Sequence, residues 1–88
     1  MVHIKTNKQR ILHRMKIAHG HLNKVIKMLE NDEYCINILH NSLAVQKALK
    51  SIDMIIMEDH LKTCAVDQIK EGKETQMVKD LIGIYKYK

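Results

Sequence analysis

From about Tyr34 to about Ile69 nothing interrupts a helical pattern, and that unbroken length limits the fold more than any other feature of this chain. Ile38, Val45, Leu49, Ile52 and Ile56 follow one another at helical spacings, and Leu39, Leu43, Ala48 and Ile55 widen the stripe. The chain has 88 residues, enough for one domain spanning 1–88 but only a modest core. A stripe this long cannot be covered by what remains of the sequence. The expected architecture is therefore all-α, with an antiparallel four-helix bundle formed between the subunits of a dimer.

The flanking segments fit the same plan. Ile11, Met15, Ala18, Leu22, Val25 and Leu29 alternate spacings of four and three, the seam of an amphipathic helix. Gly20 inside it costs about 1 kcal/mol relative to Ala, so a close helix approach is expected there. Asn31 reads as a helix stop and Asp32 as the N-cap of the long helix. The stretch around Gly72 reads as a turn, and a third helix over Glu74 to Tyr85 carries Met77, Leu81, Ile82 and Ile84. No Pro, Phe or Trp occurs, which suits helices better than sheet. No apolar run approaches the roughly 20 residues of a membrane span, and no signal peptide is visible; a cytoplasmic location is expected.

The net charge of +5 is concentrated. Residues 1 to 29 hold Lys5, Lys8, Arg10, Arg14, Lys16, Lys24 and Lys27 with no acid, while the rest of the chain is slightly negative. That block predicts a polyanionic partner, although a solvated lysine-rich face would look the same.

His60 and Cys64, at i and i+4 in "EDHLKTCAV", project from one helix face, as two ligands of one ion must. Alone the pair is a weak signal. The other thiol, Cys35, lies 25 residues before His60, or about 37 Å along a continuous helix, and cannot reach the same ion within one chain. In an antiparallel pair of such helices the Cys35 end of one chain meets the His60 and Cys64 end of the other. A dimer would then hold two identical Cys-His-Cys sites. Two thiolates and an imidazole suit Cu(I); zinc needs a fourth ligand, and nickel or cobalt also accept an N/S set. His3 is the candidate fourth ligand. His13, His19, His21 and His40 have no paired spacing with a thiol and read as surface or interface residues. No glycine-rich turn or acid-orienting residue accompanies the Cys-His pair, so an enzyme is not expected.

The segments "RMKIAHGHLNKVIKMLENDEYC" and "DHLKTCAVD" resemble the copper-sensing operon repressor (CsoR-type) family, whose relatives include nickel/cobalt sensors (RcnR-type), formaldehyde sensors (FrmR-type) and persulfide sensors. The likeness covers nearly the whole chain, and the spacing of Cys35, His60 and Cys64 is its most specific part. It implies a homodimer assembling into a homotetramer, a dimer of dimers with no helix-turn-helix. It also implies that the apo form binds operator DNA through basic surfaces and that metal releases it. Cys35, His60 and Cys64 match the ligand set of the copper sensors. Persulfide sensors lack the histidine and formaldehyde sensors the second cysteine. Tyr34 matches a tyrosine beside the first cysteine, and Asp80 stands where an acid, usually Glu, supports the metal site from outside. His3 matches the extra N-terminal ligand of the nickel-type sensors. Arg14 matches a basic position used on DNA, and Lys8, Arg10 and Lys16, with Lys47 and Lys50, complete the expected phosphate contacts. The usual "GQ" is "GH" here, with His21.

A Cu(I)-sensing transcriptional repressor is therefore the leading expectation. A Ni(II) or Co(II) sensor using His3 is the alternative within the family. A metal-buffering helical protein without DNA binding is the alternative from another class. Oxidation of Cys35 and Cys64 is a further signal that two thiols at one interface could carry.

Overall fold

The computed structural model describes residues 7–87, all of them in helices or the turns between them. The elements are α1 (Lys8–Glu30), α2 (Cys35–Lys62), α3 (Cys64–Lys70) and α4 (Glu74–Tyr85). Helices α1 and α2 form an antiparallel hairpin, and α3 and α4 continue from its far end.

The shared face is read from burial. Ile11, Ala18 and Met28 are the buried side chains of α1, and Val45 and Ile52 are buried on α2, with Ile52 only 1% exposed. Val45, Ile52 and the buried Asp59 are seven apart, the period that keeps one helix facing another over several turns. His21 and Asn41 join the helices midway, with His21 Nε2 and Asn41 Oδ1 3.0 Å apart. His21 is thus an interface residue.

The α1–α2 turn is closed by hydrogen bonds from Asp32 N–H to Leu29 O (3.1 Å) and from Glu33 N–H to Met28 O (3.0 Å). That is a Schellman closure with Asp32 in the left-handed conformation at φ 53. Asp32 therefore ends α1 and is not the N-cap of α2; Tyr34 holds that position without a side-chain cap. The same closure recurs after α3, where Gly72 takes φ 74 and Lys73 N–H reaches Gln68 O at 2.7 Å. There glycine carries no Cβ penalty for the left-handed turn.

Two other expectations change. The long second helix is interrupted once, at Thr63, so its last turns form the separate α3. The Thr63 hydroxyl donates to Asp59 O at 2.7 Å while Thr63 N–H donates to the same carbonyl at 3.0 Å. Back-bonding of a threonine hydroxyl to the carbonyl four residues earlier competes with the helical ladder and bends it. Gly20, expected at a close helix approach, has nothing within 4 Å of where a Cβ would stand. It lies on the outer side of α1, away from α2.

The chain spans 55 × 28 × 15 Å, with a radius of gyration of 17.1 Å. A globular chain of this length has a radius of about 12 Å, and a helix with its side chains is about 10–12 Å across, so the molecule is little more than one helix thick. A single layer covers one side of each helix only. Met15, Leu22 and Leu29 of the α1 seam are exposed, as are Ile36, Leu39, Leu43 and Met54 on α2.

Candidate metal centre and DNA-facing surface

Each thiol stands at the first residue of a helix. Cys35 opens α2 and is exposed; Cys64 opens α3 and is buried. His60 sits in the last turn of α2, half-buried, on the near side of the Thr63 break from Cys64. Thr63 Oγ1 also lies 3.7 Å from Cys64 Sγ. A hydroxyl has one proton, and the 2.7 Å bond to Asp59 O claims it.

His60 and Cys64 thus share one end of the hairpin, whereas Cys35 lies at the other end of the 28-residue α2. At 1.5 Å per residue the separation of Cys35 from His60 is about 37 Å. Among the described residues no group of three or more His, Cys, Asp or Glu side chains is gathered as a metal cluster. His3 lies outside the described residues.

Tyr34 and Asp80, expected from the sequence to support the site, lie at different elements. Tyr34 is exposed beside Cys35. Asp80, on α4, and His60, on α2, both line an open groove between these helices, to which Lys50, Met54, Met57 and Ile84 also contribute. The Asp80 Oδ1 accepts a hydrogen bond from Gln76 Nε2 at 2.8 Å.

Lys8, Arg10, Arg14 and Lys16 are all exposed on α1, most of them off the side that meets α2. The first turn of α1 contains no acid. Cations at the positive end of a helix dipole cost roughly 0.3–1 kcal/mol each, so the charges at this end do not serve the helix's own stability. Lys47 is exposed on α2, and Lys50 lines the α4 groove near Asp80 rather than joining the α1 surface.

Two titration shifts lie beside the site. The hydrogen bond from Lys62 Nζ to Glu58 Oε1, 2.7 Å, and the attraction behind it hold the Glu58 carboxyl below its ordinary range, with Arg10 adding a smaller pull; the same pair raises Lys62. Both groups are fully exposed, so solvent screens the pair and it does little to hold the turn.

Three residues here escape sequence reasoning: Asp59, Thr63 and Asn7, whose Nδ2 donates to Asp59 Oδ1 at 2.8 Å. The seven-residue step from Val45 to Ile52 to Asp59 is a readable signal for the first. Nothing in the sequence marks the others.

Comparison with known proteins adds an independent line. A family model described as metal-sensitive transcriptional repressor matches residues 7–86. The chain is 37% identical over 79 residues to the copper-sensing transcriptional repressor CsoR of Bacillus subtilis, covering 90% of this chain and 78% of that protein. It is 35% identical over 88 residues to CsoR of Mycobacterium ulcerans, covering 99% and 75%. The crystal structure of the copper-sensing repressor CsoR with Cu(I) from Geobacillus thermodenitrificans superposes with a TM-score of 0.88 at 32% identity, covering 99% of this chain and 91% of that one.

Proposed function

The chain belongs to the metal-sensitive transcriptional repressor family, and on that premise we propose that it is a cytoplasmic Cu(I)-sensing repressor whose apo form holds operator DNA and whose metal-bound form lets go. The family is one of repressors rather than of enzymes. One observation carries the assignment: soft donors stand at opposite ends of one long helix, an exposed Cys35 at one and His60 with Cys64 at the other. The copper-sensing relatives, including the one solved with Cu(I), favour copper over nickel or cobalt.

The donor set fits the ion. Two thiolates and an imidazole are soft, few and suited to trigonal Cu(I). Cys35 of one subunit, with His60 and Cys64 of another, would hold it. When bound, the ion supplies a cross-link between two chains. The chain's own residues do the rest. The exposed apolar rows on α1 and α2 provide the face on which a second copy packs antiparallel, completing a four-helix bundle. That packing carries Tyr34 with Cys35 toward the groove that Asp80 and His60 line. Two dimers then associate into the tetramer.

Lys8, Arg10, Arg14 and Lys16 would contact phosphates, with Lys47 as an outlying contact. Because one protein cannot favour the loaded geometry without disfavouring the other, metal and DNA affinities are reciprocally coupled. Fluorescence anisotropy on DNA from upstream of its own gene tests the reading. Tight apo binding that Cu(I) weakens by about 5- to 150-fold is expected, the usual range of allosteric coupling. Binding that ignores Cu(I), or no binding at all, would overturn it. His3→Ala decides the fourth ligand: unchanged Cu(I) affinity is expected of a three-donor site.

A further inference from the structure

The apolar seam between α1 and α2 ends on a carboxylate. Asp59, 5% exposed, follows Val45 and Ile52 in the buried row and immediately precedes His60. Its Oδ1 accepts a hydrogen bond from Asn7 Nδ2 at 2.8 Å, across 52 positions of sequence. Its Oδ2 is buried with no hydrogen-bond partner among the described residues. Burying a carboxylate on one neutral hydrogen bond is unfavourable, and a leucine here would continue the seam without that penalty.

The partner is equally unusual. Asn7 stands at the N-cap of α1, where an asparagine normally bonds the helix's own N–H groups, yet its side chain makes no such bond. It reaches to α2 instead. Meanwhile the Asp59 main-chain carbonyl takes both donors of Thr63, the residue that separates His60 from Cys64. Asp59 is therefore held on one side by the turn bearing two metal donors and on the other by the start of the cationic helix.

We propose that the Asn7–Asp59 hydrogen bond couples the His60–Cys64 turn to the first turn of α1, so that ligation moves Lys8, Arg10 and Arg14 out of register with DNA. Both are positioning residues; neither touches metal or phosphate. The inference rests on the metal-responsive DNA-binding reading above. Drawing His60 and Cys64 onto one ion shifts the backbone of residues 59–64. The α1 start follows because a 2.8 Å bond ties it to Asp59.

The test compares the wild type, Asn7→Ala, Asn7→Asp and the swap Asn7→Asp with Asp59→Asn. For each, operator affinity is measured with and without Cu(I), and amide hydrogen exchange of residues 8–14 is followed on adding Cu(I) alone. Asn7→Ala, at a half-exposed position, should fold and keep its Cu(I) stoichiometry while the ratio of apo to loaded operator affinity falls to near one. Asn7→Asp, which sets two carboxylates together, should do the same. The swap restores a donor and an acceptor in reversed order and should recover the ratio. An unchanged ratio in Asn7→Ala, or a swap that binds Cu(I) but recovers nothing, would overturn the link. If Cu(I) fails to release the wild type, the repressor reading itself has failed, and exchange then decides the link separately. A Cu(I)-induced change over residues 8–14 in the wild type but not in Asn7→Ala upholds it; the same response in both, or none in either, sinks it.

Discussion

The hydroxyl of Thr63 is bonded to the carbonyl of Asp59 at 2.7 Å, and the long helix ends between His60 and Cys64, the two donors proposed for the metal. His60 and Cys64 are therefore not two positions on one rigid helix. They sit on either side of a joint whose shape one side chain sets. Thr63→Ala removes the back-bond and lets α2 run on into α3. Cu(I) affinity should drop about tenfold, the lower end of what removing a supporting hydrogen bond costs at metal sites. Thr63→Ser keeps the hydroxyl and should stay near wild type. Competition with a chromophoric Cu(I) chelator measures both, and equal affinity for all three proteins would refute this role for the joint.

With Cys35 and His60 at opposite ends of α2, the proposed metal site is divisible between chains. A purified heterodimer with Cys35→Ala in one protomer and Cys64→Ala in the other keeps one complete set of donors and leaves a second with His60 alone. It should bind one Cu(I) per dimer at wild-type affinity, while each homodimeric variant loses tight binding. A heterodimer no better than its parents would rule out sites shared between subunits.

Leu43 tests the bundle. It is 53% exposed in the single chain, and a surface substitution there should change stability by no more than about 0.5 kcal/mol. If the exposed row on α2 is instead covered by a second copy, Leu43→Asp buries an unpaired charge and breaks the assembly. Sedimentation should show monomers, with a large fall in melting temperature. Ile52→Ala gives the scale, because its site within the hairpin is already sealed and such truncations cost about 2–5 kcal/mol. A Leu43→Asp protein that stayed assembled would argue against this face as the interface.

The α1 surface predicts a salt signature. Removing one cation that neutralises a phosphate should lower the slope of log affinity against log salt by about 0.9. Arg14→Ala should therefore weaken operator and unrelated DNA alike and flatten the slope by about 0.9 for each Arg14 copy that contacts a phosphate. Lys50→Ala, whose side chain lines the α4 groove, should leave the slope unchanged. Equal effects of the two would mean that the groove and the α1 surface both face DNA.

Much of this is legible in the residues. Apolar spacing and the lack of proline dictate helices, and α4 falls on the span its pattern predicts. The separation of Cys35 from His60 and Cys64 follows from helix rise alone, so the proposal that a second chain completes the donor set can be read from the sequence. Charge placement on α1 is likewise a property of the string. What only the tertiary structure decided are the contacts between residues far apart in the chain. By spacing the α1 seam is one row, yet α2 covers Ile11 and Ala18 and leaves Met15, Leu22 and Leu29 open, because a single partner helix shields only one side. Thr63 has helical neighbours on both sides; its back-bond won locally where propensity is weak. Asp32 became a left-handed closure because the hairpin needed a reversal there and Asp tolerates that conformation better than most. Asn7 and Asp59 are ordinary residues in sequence. Only the antiparallel hairpin sets them 2.8 Å apart, since pairing across 52 positions is fixed by how two helices pack and not by either helix alone.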